Sequence, residues 1–386
     1  MDKVRIGDIC TVVSGSTPKS NIEEYWNGDI KWITPAEITD DSYVISDTER
    51  HITEKAVEKT NLTLLPVGTV LLSSRAPIGK TAIVGAEMYC NQGFKNLICS
   101  ERIYNKYLYF FLTSKVDYLN ALGRGATFKE ISKGIVEDVE IPLPSLDEQK
   151  KIAERFEAIQ QLLNKRKQAL LYLDDLAKSR FIELFGDIKL NSKKWSIVKL
   201  EDIADVGSSK RVFVEELLPT GIPFYRGTEI GALAEGKTVI PDLHITKVHY
   251  KELCEASGTP QYGDLLMPSI CPDGRIWLVD TDEPFYFKDG RVLWVHLTSN
   301  EFNNVFVQYV MKFRMATEYE QIASGTTFKE LKIFTLKSLD VVKPPIDIQK
   351  QFADFVALTD KSKLAVQQSI ETLQTLKAKL MQDYFG

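Results

Sequence analysis

The sequence predicts a mixed α/β protein of the α+β class. Two tandem globular domains are joined by two long antiparallel helices forming a coiled coil, and the whole is organised by a pseudo-twofold internal repeat. Three observations lead there. The chain has 386 residues, and at about 150 residues per domain that length argues for two or three domains. The chain also repeats itself. Shifted by 200 positions, Gly125-Ala-Thr-Phe-Lys-Glu130 falls on Gly325-Thr-Thr-Phe-Lys-Glu330, Pro144 on Pro344, Asp147 on Asp347, Gln149-Lys150 on Gln349-Lys350 and Phe185-Gly186 on Phe385-Gly386, without a gap over 62 positions. Third, the stretch from Ser145 to Phe185 contains no Gly or Pro, which reads as one uninterrupted helix.

The period is far above that of a solenoid, so the repeat means a tandem pair of domains. Upstream the match weakens and drifts: Pro66-Val-Gly68 through Ser74 faces Gln261-Tyr-Gly263 through Ser269, and Gly28 to Trp32 faces Gly221 to Tyr225. Each half is therefore a variable domain followed by a better-retained segment. The expected divisions are 1–144, 145–190, 191–344 and 345–386. In the variable parts, β-rich runs at 69–73, 81–84 and 292–297 alternate with Gly/Pro turns and with helical stretches at 105–112 and 304–314.

The long helices follow from capping and periodicity. Ser145-x-x-Glu148 has the form of a capping box. Behind it Ile152, Phe156, Ile159, Leu163, Leu170, Leu173, Ala177 and Leu184 keep alternating four-three spacing, with Arg166 and Arg180 on seam positions. In the second half Phe352, Val356, Val366, Ile370, Leu373, Leu380 and Tyr384 repeat the stripe behind Pro344-Pro345. Two readings stand: helices of a bundle core, or a coiled coil between the variable domains, which the duplicated halves favour. From Asp147 to Phe185 a helix would span about 58 Å at ~1.5 Å per residue.

Composition bounds the function. With 44% hydrophobic and 26% charged residues, the chain is an ordinary globular one. No apolar run approaches the ~20 residues of a membrane span, and the N-terminus lacks an apolar signal region, so a cytoplasmic location and no membrane partner are expected. Five cysteines without a C-x-x-C pattern read as buried reduced thiols, with no metal site. Net charge is −5, and both 1–144 and 191–344 are themselves acidic. A nucleic-acid binder of this composition must gather its basic groups on one face or borrow charge from partners.

Catalytic signatures are missing from the sequence: no G-x-x-x-x-G-K-[ST], no G-x-S-x-G, no H-E-x-x-H, and four scattered histidines. Lys343-Pro-Pro-Ile346 lacks the acidic or amide residue and the aromatic of a methyltransferase loop and reads as a helix entry. Asp174-Asp175 diverge by ~100° on a helix and read as a solvated face. What remains suits the reading of a surface. Ser73-Ser-Arg-Ala-Pro-Ile-Gly-Lys80 forms a turn presenting Ser74, Arg75 and Lys80; arginine pairs bidentately with guanine and lysine holds a phosphate. Its counterpart Ser269-Ile-Cys-Pro-Asp-Gly-Arg275 offers Ser269 and Arg275 but has Ile270 where Arg75 stood. Asn91, Gln92 and Lys95 face Lys288 and Arg291 in a second pair of turns. Ordinary surface turns are the alternative for each loop. In the retained Gly-x-Thr-Phe-Lys-Glu turn, Thr127 caps a helix and Phe128 anchors it, while Lys129 and its repeat Lys329 are placed to reach a phosphate; structure is favoured over DNA contact there.

These blocks, with Ile141-Pro-Leu-Pro-Ser-Leu-Asp-Glu-Gln-Lys-Lys-Ile-Ala153 and the half-length repeat, resemble the specificity subunits of type I restriction-modification systems over essentially the whole chain. The resemblance implies two target-recognition domains, each binding one half of a bipartite asymmetric site in double-stranded DNA, held apart by the helices. It implies two modification (methyltransferase) subunits docked on those helices, with Gln149, Arg155, Arg166, Gln349 and Lys363 available to meet partners. Restriction subunits, ATP-dependent translocases and nucleases, would join them. No cofactor is expected in this chain: S-adenosylmethionine, ATP and Mg would belong to the partners, as would base flipping. The second half departs from the family pattern at Ile270 and across 342–346. A scaffold whose paired domains bind proteins is the alternative, which the acidic balance favours.

Overall fold

Runs of β-branched and aliphatic residues bounded by Gly and Pro turns build small sheets, and the Gly-free tails build the long helices. A computed structural model describes residues 3–39, 41–75, 77–125, 129–325 and 329–386. Thr127 and Phe128 lie outside the described residues. The chain divides into two units, Met1–Gln168 with Gln367–Gly386, and Ala169–Val366. Each therefore takes part of both long helices.

In unit 1 a five-stranded sheet has the spatial order Cys10–Ser14, Lys95–Cys99, Val70–Leu72, Thr81–Val84, Val44–Ile45, antiparallel except for its last pair. A three-stranded sheet places Trp26–Ile33 between His51–Ile52 and Tyr89–Cys90. Unit 2 repeats the plan with four strands, Ala204–Gly207, Val292–Leu297, Leu265–Pro268 and Trp277–Leu278, and a three-stranded sheet centred on Ile222–Tyr225. Ser73 leaves its expected strand because its hydroxyl donates to the Pro77 carbonyl and accepts from Lys80 N at 2.7 and 2.9 Å, closing the turn. The helix expected at 105–112 runs Asn105–Ser114 and is followed by Val116–Leu122; its counterpart is one helix, Asn304–Ile322.

The long helices are Leu146–Phe185 and Ile346–Phe385, 40 residues each. Ser145 Oγ accepts from Glu148 N at 3.4 Å, one half of the expected capping box. Within unit 1 the start of the first helix meets the end of the second: Phe156 lies 5.8 Å from Phe385, Arg155 bonds to Tyr384, and Lys377 donates to Gln160 at 2.8 Å. Within unit 2 the end of the first meets the start of the second, with Phe185 and Phe181 at 5.5 and 5.4 Å from Phe352 and Asp174 at 2.7 Å from Lys363. Both sets of contacts are antiparallel. Ile152, Phe156, Ile159, Leu163, Ala177, Phe352, Val356 and Ile370 are buried as the stripe requires. Arg166 corrects the seam assignment: it is exposed, whereas half-buried Arg180 lays its guanidinium 5.8 Å over the Phe355 ring.

The end of each helix anchors a domain. Phe385 packs on Tyr107 and Phe111 from the helix of unit 1, and Phe185 packs 4.6 Å from Phe306 in unit 2. That shared aromatic plug gives the retained Phe-Gly at 185–186 and 385–386 a structural reason. All five cysteines are free. Burial pushes the Cys90 and Cys271 thiols up to about 12, and a hydrogen bond with Cys99 together with burial raises Cys10. Among the described residues no helix is long and apolar enough to cross a membrane.

Candidate nucleic-acid interface

The basic loops come from different strand ends and are joined by backbone hydrogen bonds. In unit 1, Ser74 N donates to Gly93 O at 2.7 Å and Ile131 N donates to Ser74 O at 3.0 Å, so the 73–80 turn lies between the 91–95 turn and the retained segment ending at Glu130. Arg124 and Glu130 exchange two backbone bonds of 3.0 and 2.9 Å. Unit 2 reproduces this: Ser269 N donates to Arg291 O at 2.9 Å, Leu331 N to Ser269 O at 2.8 Å, and Ser324 and Glu330 exchange bonds of 2.9 and 2.8 Å. These bonds place Arg291 where unit 1 has Gly93, a register that aligning Gly93 with Gly290 misses by one residue.

A loop that the sequence reading passed over belongs to the same cluster. Ser16 N donates to Cys90 O at 3.0 Å and Thr17 bonds to Gln92. A Cβ on Gly15 would overlap the Asn91 carbonyl, so only glycine allows this approach. In unit 2 Ser208 Oγ donates to Val292 O at 2.7 Å and accepts from Gly290 N at 2.9 Å. The signal was available, since Ser14-Gly-Ser16 and Gly207-Ser-Ser209 leave corresponding strands.

The side chains divide into those that face outward and those that do not. Arg75 is about half exposed and its Nε lies 3.0 Å from Glu130. Lys95 corrects the expectation that its turn offers it to a ligand: it is buried, with Nζ 3.3 Å from Glu130. Gln92 and Lys129 are exposed. Asn91 spends its side-chain oxygen on Gly93 N at 2.9 Å. Lys80 corrects the expectation that the turn presents it: its stem is half-buried and Nζ donates inward to Pro35 O at 3.1 Å. Ser74 and Ser269 are likewise buried, with Ser74 Oγ donating to Gly93 O at 3.1 Å, so neither hydroxyl faces a ligand.

In unit 2, Lys288 and Arg291 are exposed, and Arg291 pairs with Glu330, which also takes Lys332 Nζ at 3.1 Å. The Lys332 hydrogen bond and the Arg291 charge hold the Glu330 carboxyl below its ordinary value. Arg275 lies 2.7 Å from Asp273, whose hydrogen bond holds the guanidinium above its usual pKa. Lys329 is tied to Glu320, with its Nζ donating to the Glu320 carbonyl at 2.8 Å.

On the helices Arg155 and Arg166 are exposed. Half-buried Lys363 pairs with Asp174 and Asp360; burial opposes its charge, but the Asp174 hydrogen bond and the Asp360 and Asp174 charges together raise its pKa. Gln149 and Gln349 require correction as partner-facing residues. Each is buried and satisfied within its own unit. Gln149 accepts from Tyr104 N at 2.8 Å and donates to Arg102 O and Pro144 O at 3.1 and 2.9 Å. Gln349 accepts from Asn303 N at 2.9 Å and donates to Glu301 O and Pro344 O at 3.1 and 2.8 Å. These two glutamines lock helix to domain. Exposed apolar side chains on the same helices, Leu171, Tyr172, Leu176, Leu358 and Leu364, drew no attention in the sequence because a seam stripe and a docking face look alike when read as spacing alone.

Comparison with known proteins agrees with this duplicated plan. The family model for the type I restriction modification DNA specificity domain matches twice, at residues 1–172 and 192–375. The MjaIX specificity subunit of Methanocaldococcus jannaschii is 32% identical over 405 residues, covering 98% of this chain and 91% of that protein. The EcoR124I/EcoR124II specificity subunit of Escherichia coli is 28% identical over 196 residues, 49% of this chain and 48% of its own length. In fold, the S subunit of a type I restriction-modification system from M. genitalium superposes with a TM-score of 0.57 at 16% identity, covering 100% of this chain and 96% of its own. A chain from a structure of type I R-M complex assembly reaches 0.64 at 17%, covering 100% and 97%. The doubled mixed domains, the paired helices and the doubled family match converge on one assignment: the chain belongs to the family of type I restriction-modification DNA specificity subunits, the component that supplies sequence recognition and not catalysis.

Proposed function

We propose that each unit reads one half of a bipartite asymmetric site in double-stranded DNA, through the loops gathered around Glu130 in unit 1 and Glu330 in unit 2. One observation carries the reading: the same backbone stitching recurs in both units while the exposed side chains around it differ, Arg75 and Gln92 against Lys288 and Arg291, beside the common Lys129 and Lys329. A common frame with different planar and cationic groups suits two readers of different sequences. The proposed domain divisions are 1–144 and 191–344 for the readers and 145–190 and 345–386 for the helices. The helices dock two modification subunits, which carry S-adenosylmethionine; restriction subunits carry ATP and Mg. Leu171, Tyr172 and Leu176, within six residues of one helix, supply apolar contact for such docking. Arg155 and Arg166 supply charge. A cytoplasmic location follows from this reading.

Arg75→Ala tests the unit 1 reader. Loss of a bidentate base contact costs about 1–3 kcal/mol of discrimination while phosphate contacts remain. Binding to the cognate duplex should fall by roughly ten- to a hundred-fold, with little change on a scrambled duplex. Equal discrimination by the variant and the parent would make the 73–80 turn a structural one.

A further inference from the structure

The half-length repeat keeps a carboxylate in the middle of each basic cluster, and the reading of those clusters as DNA contacts gives no reason for it. Glu130 takes Arg75 and Lys95; Glu330 takes Arg291 and Lys332. The anion is retained at the equivalent position, whereas the cations come from different places in the chain: one from the first loop and one from a central strand in unit 1, one beside that strand and one two residues beyond the glutamate in unit 2. What is common is therefore a carboxylate shared by two cations.

Stability explains only part of this arrangement: buried Lys95 needs a counter-charge, but Arg75, Arg291 and Lys332 are each about half exposed, and ion pairs made by such side chains contribute little to folding. Direct reading of a base does not explain it either. A glutamate can accept from a cytosine amino group, but the same residue in both halves would impose the same base on both half-sites. On a surface that meets phosphates, a carboxylate is a repulsive element, and specificity is a difference in affinities that repulsion can widen.

We infer that Glu130 and Glu330 are positioning residues that act as tethered competitors of DNA phosphate, holding Arg75, Arg291 and Lys332 away from non-specific contact. Each carboxylate neutralises one of the two charges it touches, so each cluster presents one net positive charge in place of two. Non-specific binding is set by the number of phosphates neutralised, and falls accordingly. On the cognate site, base contacts compensate for the exchange of partners. This inference rests on the proposed reading of the loops.

The test measures binding of the purified full chain to a scrambled duplex across a salt series, for the parent, Glu130→Gln, Glu330→Gln, and the charge-keeping Glu130→Asp. Each glutamine variant should bind the scrambled duplex more tightly. Its advantage should shrink about 3.5-fold between about 50 and 200 mM salt, as expected for one additional phosphate contact. Binding to the cognate duplex should tighten by at least as much, because the same ion pair is broken there, and Glu130→Asp should stay near the parent. A structural role would lower thermal stability without steepening the salt dependence. The two glutamates sit in separate units, so a folding failure in one variant leaves the other to decide. Folded glutamine variants that bind the scrambled duplex like the parent, or more weakly, would overturn the inference alone, as would a changed preference at one base with unaltered non-specific affinity. Absence of salt-dependent DNA binding by the parent would overturn the reading of the loops and the inference together.

Discussion

Phe385→Ala is expected to destabilise unit 1 by about 3–5 kcal/mol, the usual cost of emptying a buried phenylalanine site, even though the residue lies at the far end of the sequence from most of that unit. Its ring is 2% exposed, stacks on Phe156 at 5.8 Å, and meets Tyr107 and Phe111 edge-on at 5.3 and 5.7 Å. Truncation removes the joint between the last helix and the domain helix Asn105–Ser114. Hydrogen exchange should show protection lost in that helix and in the first turns of Leu146–Phe185, while Asn304–Ile322 in unit 2 stays protected. Phe185→Ala should give the mirrored pattern, through Phe306 and Phe352. Uniform loss across both units, or none, would show that these rings do not anchor separate domains.

Gln149→Ala carries the second large effect. The buried amide satisfies one backbone N–H and two carbonyls, and its removal leaves Tyr104 N, Arg102 O and Pro144 O without their partner. A group left unpaired away from water costs about 1–3 kcal/mol; Tyr104 and Pro144 are half-buried and Arg102 is exposed, so water offsets part of that, leaving a net loss of about 1–3 kcal/mol. Gln349→Ala should cost as much in unit 2. Denaturant midpoints report the loss. If either variant keeps parental stability yet fails to assemble with a modification subunit, the glutamine belongs to a docking face after all.

The repeat, the two helices and the order of the basic loops were legible in the sequence because each is a local or periodic property. A shift of 200 positions, a four-three stripe and a Pro-x-Gly turn need no knowledge of what lies across the fold. Direction was not legible. Gln149 looks like any polar residue in a first helical turn, and only the arrival of the 102–104 backbone turns it inward. Lys80 follows Gly79 in a turn that displays Arg75, yet the Pro35 carbonyl draws its ammonium inside. Glu130 and Glu330 stood in the most visible motif of the chain, but sequence does not say that Arg75 and Lys95 converge on the one, or that Arg291 joins the neighbouring Lys332 on the other. Arg166 failed for a related reason: a seam position read from spacing is not buried where the contact is thin, and a long cationic side chain reaches water there.

The central claim is that two independent readers share one chain. The most direct measurement replaces residues 1–144 with the corresponding region of another specificity subunit of the family and maps methylated adenines genome-wide in cells carrying the chimera and its modification partner. One half of the recognised sequence should change to that of the donor, and the other half should stay as it was. A chimera that methylates sites altered in both halves, or in neither, would contradict the account.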